Sequence, residues 1–133
     1  MNKVSIFVIC GLLLAASGAK ANTDEENRLK AALVYKMGKF VTWNDAPEKL
    51  NYCFIGKKSQ AISAVLQRKF TQGRLPPNVN FTNKNSVSDV AKMECQVLFT
   101  TSIKSSESTK YKEISQSTLT IANSSNQLRH GLI

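Results

Sequence analysis

Apolar positions along the chain switch between two spacings, and the switch predicts an alternation of helices and strands. Leu29, Leu33, Met37 and Phe40 recur at intervals of four, four and three, which puts them on one helix face and predicts that this face is core. Asp24, Glu25 and Glu26 precede them, where negative charge suits a helix N-terminus. The helix should end near Val41-Thr42-Trp43, ahead of the turn-forming Asn44-Asp45-Ala46-Pro47. Tyr52-Cys53-Phe54-Ile55-Gly56 then reads as a short strand, and Ile62, Val65, Leu66 and Phe70 return to helical spacing. Gly73 and Pro76-Pro77 break the chain before Val79-Asn80-Phe81-Thr82, which alternates as a second strand should. Residues 86–93 supply a short helical turn, and Cys95-Gln96-Val97-Leu98-Phe99-Thr100 is the clearest strand. Residues 105–114 form a weakly amphipathic helix leading to a fourth strand at Leu119-Thr120-Ile121.

This order predicts an α/β fold, a mainly parallel sheet of about four to five strands with helices on both faces in a three-layer, Rossmann-like arrangement. In the usual doubly wound order the first strand lies beside the third.

The N-terminus does not join the alternation. Lys3 is followed by an almost unbroken apolar run over residues 4–16, about 13 residues and too short to span a bilayer comfortably. Ser17-Gly18-Ala19-Lys20-Ala21 then offers small residues at 19 and 21, as a signal peptidase requires. The expectation is a signal peptide over residues 1–21 and a single domain over 22–133, exported and without a transmembrane segment once cleaved. Cys10, behind Ile9 in the middle of the apolar run, does not suit a lipoprotein acylation site.

Export changes what the charge and the cysteines mean. The formal charge of +9 falls to +7 with the loss of Lys3 and Lys20, so an anionic partner is conceivable. Only Lys57-Lys58 and Arg68-Lys69 place basic residues side by side, with no aromatic interleaving for base stacking, which argues against nucleic acid. Cys53 and Cys95 are the cysteines left after cleavage, and an even pair in an oxidising compartment reads as a disulfide. On neighbouring strands at the same sheet end they would be within bridging reach. Two buried free thiols remain the alternative if their side chains point to opposite faces.

Catalytic patterns are missing from the sequence. His130 is a lone histidine without a nucleophile elbow, no glycine-rich phosphate loop follows a strand, and carboxylates are few. Two cysteines and one histidine lack metal-ligand spacing. The expectation is no enzyme, no metal and no cofactor. A small-ligand module is the other reading, with Gly56-Lys57-Lys58 offering positive charge at the carboxyl ends of the strands.

The string Leu29-Lys30-Ala31-Ala32-Leu33-Val34-Tyr35-Lys36-Met37-Gly38-Lys39-Phe40-Val41-Thr42-Trp43 resembles the opening helix of the YfiR family of bacterial periplasmic proteins. Tyr52-Cys53-Phe54-Ile55-Gly56 is similar to that family's first strand, and Glu94-Cys95-Gln96-Val97-Leu98-Phe99 to its cysteine-bearing strand. The resemblance covers residues 27–133. It implies a periplasmic repressor that binds the periplasmic sensor domain of an inner-membrane diguanylate cyclase and holds down cyclic-di-GMP synthesis, with consequences for biofilm formation. It also implies a Cys53–Cys95 disulfide through which redox state influences repression. Family members continue beyond Leu128-Arg129-His130-Gly131-Leu132-Ile133 for a further strand and helix, so this domain is expected to lack those elements. Tyr35 and Trp43, with Lys57 and Lys58, are the candidate partner-binding residues, a homodimer is a further possibility, and Phe40 is expected to pack in the core.

Overall fold

The computed structural model describes residues 18–101 and 103–123. The apolar run over 4–16, His130 and the segment 128–133 lie outside the described residues. Among those described, four strands form one all-parallel sheet: β1 (Leu50–Ile55), β2 (Val79–Lys84), β3 (Val97–Thr100) and β4 (Leu119–Ala122). Their order is β2-β1-β3-β4, so the chain adds β2 on one side of β1 and then reverses, the doubly wound pattern. Tyr52 pairs with Phe81 on one side and Val97 on the other, and Val97 pairs with Leu119.

Helices α1 (Gly18–Phe40) and α2 (Lys57–Thr71) cover one face; α3 (Val87–Ala91) and α4 (Ser108–Ile114), the latter led by a 3-10 turn at Ser105–Glu107, serve the other. Strand alternation divides the side chains between the two layers. Tyr52, Phe54, Val97, Phe99 and Ile121 join Ala31, Val34, Ile62 and Leu66 under α1 and α2. Cys53, Ile55 and Leu98 join Val87, Val90 and Tyr111 under α3 and α4. Parallel strands covered on both faces need apolar residues at nearly every position, as Tyr52-Cys53-Phe54-Ile55 and Val97-Leu98-Phe99 supply.

The turn from β1 into α2 passes through Gly56 at φ 95°, a left-handed conformation open to glycine, and Ser59 closes the corner by donating its hydroxyl to the Ile55 carbonyl at 2.6 Å. Ser86 caps α3, its hydroxyl accepting from the Asp89 amide at 3.3 Å.

Two expectations are corrected on α1. The helix begins at Gly18 rather than near Asp24, so the three carboxylates lie beyond its first turn. More consequentially, the stripe Leu29, Leu33 and Phe40 faces outward, with exposures of 71, 58 and 85 %, and only Met37 packs partly against the core. The buried face is Ala31, Val34 and Gly38. The reason is close approach. A Cβ on Gly38 would stand 2.5 Å from the Tyr52 hydroxyl oxygen and 2.8 Å from Val97 Cγ2. The small-residue face fits flush on the sheet, and the large apolar residues are left on the opposite side.

Candidate functional site

A cleft of about 950 Å³ opens at the amino-terminal ends of the strands. Its walls come from three loops that each lead into a strand, residues 41–47, 93–96 and 115–118. Trp43 anchors the first wall: its indole N–H donates to the Gly38 carbonyl at 3.2 Å, which folds the ring back on the end of α1. The same loop turns sharply, with the Ala46 amide bonded to the Trp43 carbonyl at 3.1 Å and Ala46 itself at φ 40°.

The second wall carries a disulfide. Cys53 and Cys95 are bonded, with Cα atoms 6.0 Å apart, and both are buried. Their placement differs from the sequence expectation. Cys53 is the fourth residue of β1 rather than its start, and Cys95 lies two residues ahead of β3 rather than opening it. Register makes that difference decisive. Cys53 is level with Leu98 and shares its face, so a regular strand extended back to Cys95 would aim the second thiol at the opposite face. Because the chain leaves strand geometry before Val97, Cys95 turns into the Cys53 layer.

Polar groups hold this irregular stretch in place. Asn51 makes three bonds to it: the Gln96 amide donates to the Asn51 carbonyl (3.0 Å), the Asn51 amide donates to Gln96 Oε1 (2.8 Å), and Asn51 Nδ2 donates to the Glu94 carbonyl (2.9 Å). Thr118 donates its hydroxyl to the Cys95 carbonyl at 2.7 Å, and the Leu119 amide donates to the Gln96 carbonyl at 2.8 Å. Residue patterns did not single out Asn51, Gln96 or Thr118, because their partners are set by strand adjacency and not by spacing. The bridge spans 42 positions. Closing a loop of that length removes about 4 kcal/mol of chain entropy from the unfolded state.

The four candidate partner-binding residues do not share one surface. Tyr35 and Trp43 are half-buried and pack against the α1–α2 layer. Tyr35 stacks on Tyr52 with ring centroids 5.9 Å apart, while the Tyr52 hydroxyl donates to the Tyr35 carbonyl at 2.9 Å. Burial, with Tyr35 adding to it, pushes the Tyr52 phenol well above the ordinary tyrosine range. Lys39 completes the group, its ammonium 5.8 Å from the Tyr35 ring centroid. Lys57 and Lys58 are exposed on the first turn of α2, at the carboxyl ends of the strands. The large cleft is therefore at the opposite end of the sheet from the crevice suggested by Gly56-Lys57-Lys58.

The chemistry of the cleft is that of a polar recognition surface with two acidic groups and no basic residue in its lining. Its rim carries amide, hydroxyl and backbone groups from Asn44, Gln96, Gln116 and Thr118, an indole from Trp43, and the carboxylates Asp45 and Glu94. Among the described residues no group of three His, Cys, Asp or Glu side chains could hold a metal, and no helix is long and apolar enough to cross a membrane.

Comparison with protein families settles the lineage. A model of the YfiR/HmsC-like family matches residues 27–133, which takes in all of the sheet, the disulfide and every wall of the cleft. The chain belongs to the YfiR/HmsC-like family. That family is one of periplasmic regulatory domains in cyclic-di-GMP signalling, and the buried disulfide is consistent with export. No curated protein and no solved structure matched the chain.

Proposed function

We propose that this protein is a periplasmic repressor which binds the periplasmic sensor domain of an inner-membrane diguanylate cyclase and lowers cyclic-di-GMP synthesis. The observation that carries the reading is family membership across the whole domain. The signal peptide read over residues 1–21 would deliver residues 22–133 to the compartment where such a sensor domain is found, and the Cys53–Cys95 bridge is chemically at home there. Repression of this kind needs no reacting group. It requires that the domain bind the inactive cyclase more tightly than the active one, by roughly 10⁴-fold to reverse a 1:99 equilibrium. Tyr35 and Trp43 on one side, and Lys57 and Lys58 on the other, are candidate contacts, and their separation means that a single small interface uses one pair or the other.

The test is cellular cyclic-di-GMP after deletion of the gene, with complementation by wild type or by Cys53→Ser. The expected result is a rise that wild type reverses and the cysteine variant does not. An unchanged level, with the protein shown to be expressed beforehand, would refute repression.

A second reading is favoured by the cleft itself. A volume of about 950 Å³ with an indole and several amides suits a small organic molecule, so the domain would act as a ligand-sensing accessory module. A ligand that raises the melting temperature, and loses that effect in Trp43→Ala, would support it.

A further inference from the structure

Charge is spread unevenly over this molecule, and the cleft runs against the trend. The chain carries 18 lysines and arginines against 9 acidic residues, yet no basic side chain lines the cleft and two carboxylates do, Asp45 and Glu94. Lys39, Lys49, Lys92 and Lys112 are close by in sequence but exposed outside the lining. Both carboxylates are exposed as well, and among the described residues neither is paired with a cation.

The fold adds to this polarity. In a parallel α/β sheet the helix before each strand runs back to that strand's amino-terminal end, so the loops walling the cleft follow the carboxyl ends of α1, α3 and α4. Helix carboxyl ends carry partial negative charge. Trp43 contributes in a different way. Its indole N–H is already bonded to the Gly38 carbonyl, so what the ring offers the cleft is its apolar body and its π-electron density, which attracts cations. Val41, Pro47, Met93 and Leu119 add hydrocarbon to the same lining. Asp45 stands on the first wall and Glu94 on the second, so one molecule with two positive charges is met from two sides. An anion would face both carboxylates and three helix carboxyl ends, with no lysine or arginine in the lining to answer it.

We infer that the cleft binds an organic cation, a hydrocarbon chain carrying two or more ammonium groups, with Asp45 and Glu94 meeting the charges and the Trp43 indole meeting the chain. The inference rests on the ligand-sensing reading of the cleft and names the class of ligand that this reading leaves open. A bare metal ion fits less well, because a space of about 950 Å³ far exceeds it and no three ligating side chains gather among the described residues. Lys57 and Lys58 stand at the opposite end of the sheet, where they do not oppose a cation. Exposure of the two carboxylates makes each contact a solvent-screened pair, so each contributes a few-fold to affinity and binding weakens with added salt.

The experiment is a titration followed by the fluorescence of Trp43, the chain's single tryptophan, on protein purified as its host processes it. The probe is cadaverine, with pentanediol and glutarate as neutral and anionic chains of matched length, each taken to millimolar concentration. The diamine is expected to change the emission saturably and the two controls to leave it unchanged. Asp45→Asn and Glu94→Gln should each raise the dissociation constant about threefold, and the two together about tenfold. Both side chains are exposed and both substitutions keep their shape, so circular dichroism should report unchanged folding. A cadaverine response that survives the double substitution, or that added salt leaves untouched, overturns the assignment to these carboxylates. Preference for pentanediol or glutarate overturns the cation class and leaves the ligand-sensing reading standing. Silence toward all three overturns the inference too, and the broader reading then falls or stands on its own melting-temperature test.

Discussion

Replacing Gly38 by alanine sets two physical effects against each other with opposite signs. Helix propensity alone favours alanine by about 1 kcal/mol at an interior helical position. Packing opposes it: the added methyl would stand 2.5 and 2.8 Å from the hydroxyl oxygen and Cζ of Tyr52 and 2.8 Å from Val97 Cγ2. These are not free ends of flexible side chains. The Tyr52 ring is fully buried between Tyr35 and Phe81 and tied by its hydroxyl to the Tyr35 carbonyl, and Val97 is in the central sheet. Relief therefore means lifting α1 from the sheet or breaking the Tyr52 hydrogen bond. Overpacking of this kind costs about 1–3 kcal/mol, and a lost hydrogen bond about 1 kcal/mol. The net expectation is destabilisation by about 1–2 kcal/mol, a fall of several degrees in melting temperature for a domain of this size. Trp43 provides the assay, because it is the chain's single tryptophan and its indole is bonded to the Gly38 carbonyl, so its fluorescence follows the docking of α1. A variant more stable than wild type would refute the close approach of α1 to the sheet.

Leu66→Ala, in the buried layer, should cost about 2–5 kcal/mol, while Leu29→Ala, on the exposed stripe, should stay within about 0.5 kcal/mol in dilute protein; equal losses in urea unfolding would contradict the assignment of the two faces. Cys53→Ser should lower stability by about 4 kcal/mol, moving the urea midpoint by about 2 M, and reduction of wild type should match it; a shift below about 0.5 M would mean that the bridge adds nothing. Tyr52 has a raised folded-state pKa, so its contribution is complete below the unfolded tyrosine value of about 10 and is lost as pH climbs through the higher folded value. Tyr52→Phe should therefore flatten the fall of melting temperature above pH 10, and an unaltered alkaline limb would exclude this phenol as its source.

Much of the architecture was legible because it depends on local properties. Tyr52-Cys53-Phe54-Ile55 and Val97-Leu98-Phe99 are continuous apolar runs, which only a strand buried on both faces accommodates economically. The helices between them force parallel pairing, and parallel pairing with a reversal gives the order β2-β1-β3-β4. Cysteine count and the signal-like pattern of the N-terminal sequence likewise suggested the bridge before its geometry was known.

Tertiary structure decided what spacing cannot. Periodicity shows that α1 has an apolar stripe, but not which of two eligible faces meets the sheet. The small face won because Gly38 permits contact with Tyr52 and Val97 that no side chain would allow, and Leu29, Leu33 and Phe40 were turned outward as a result. The disulfide depended on a departure from regularity, since strict alternation from Leu98 would have aimed Cys95 away from Cys53. The cleft's polar rim joins Gln96 to Asn51 and Thr118 to Cys95, pairs separated by 45 and 23 positions. Sequence alone determined the elements and their order, because these follow from short-range chemistry; the exposed face, the thiol geometry and the site followed only from how those elements pack.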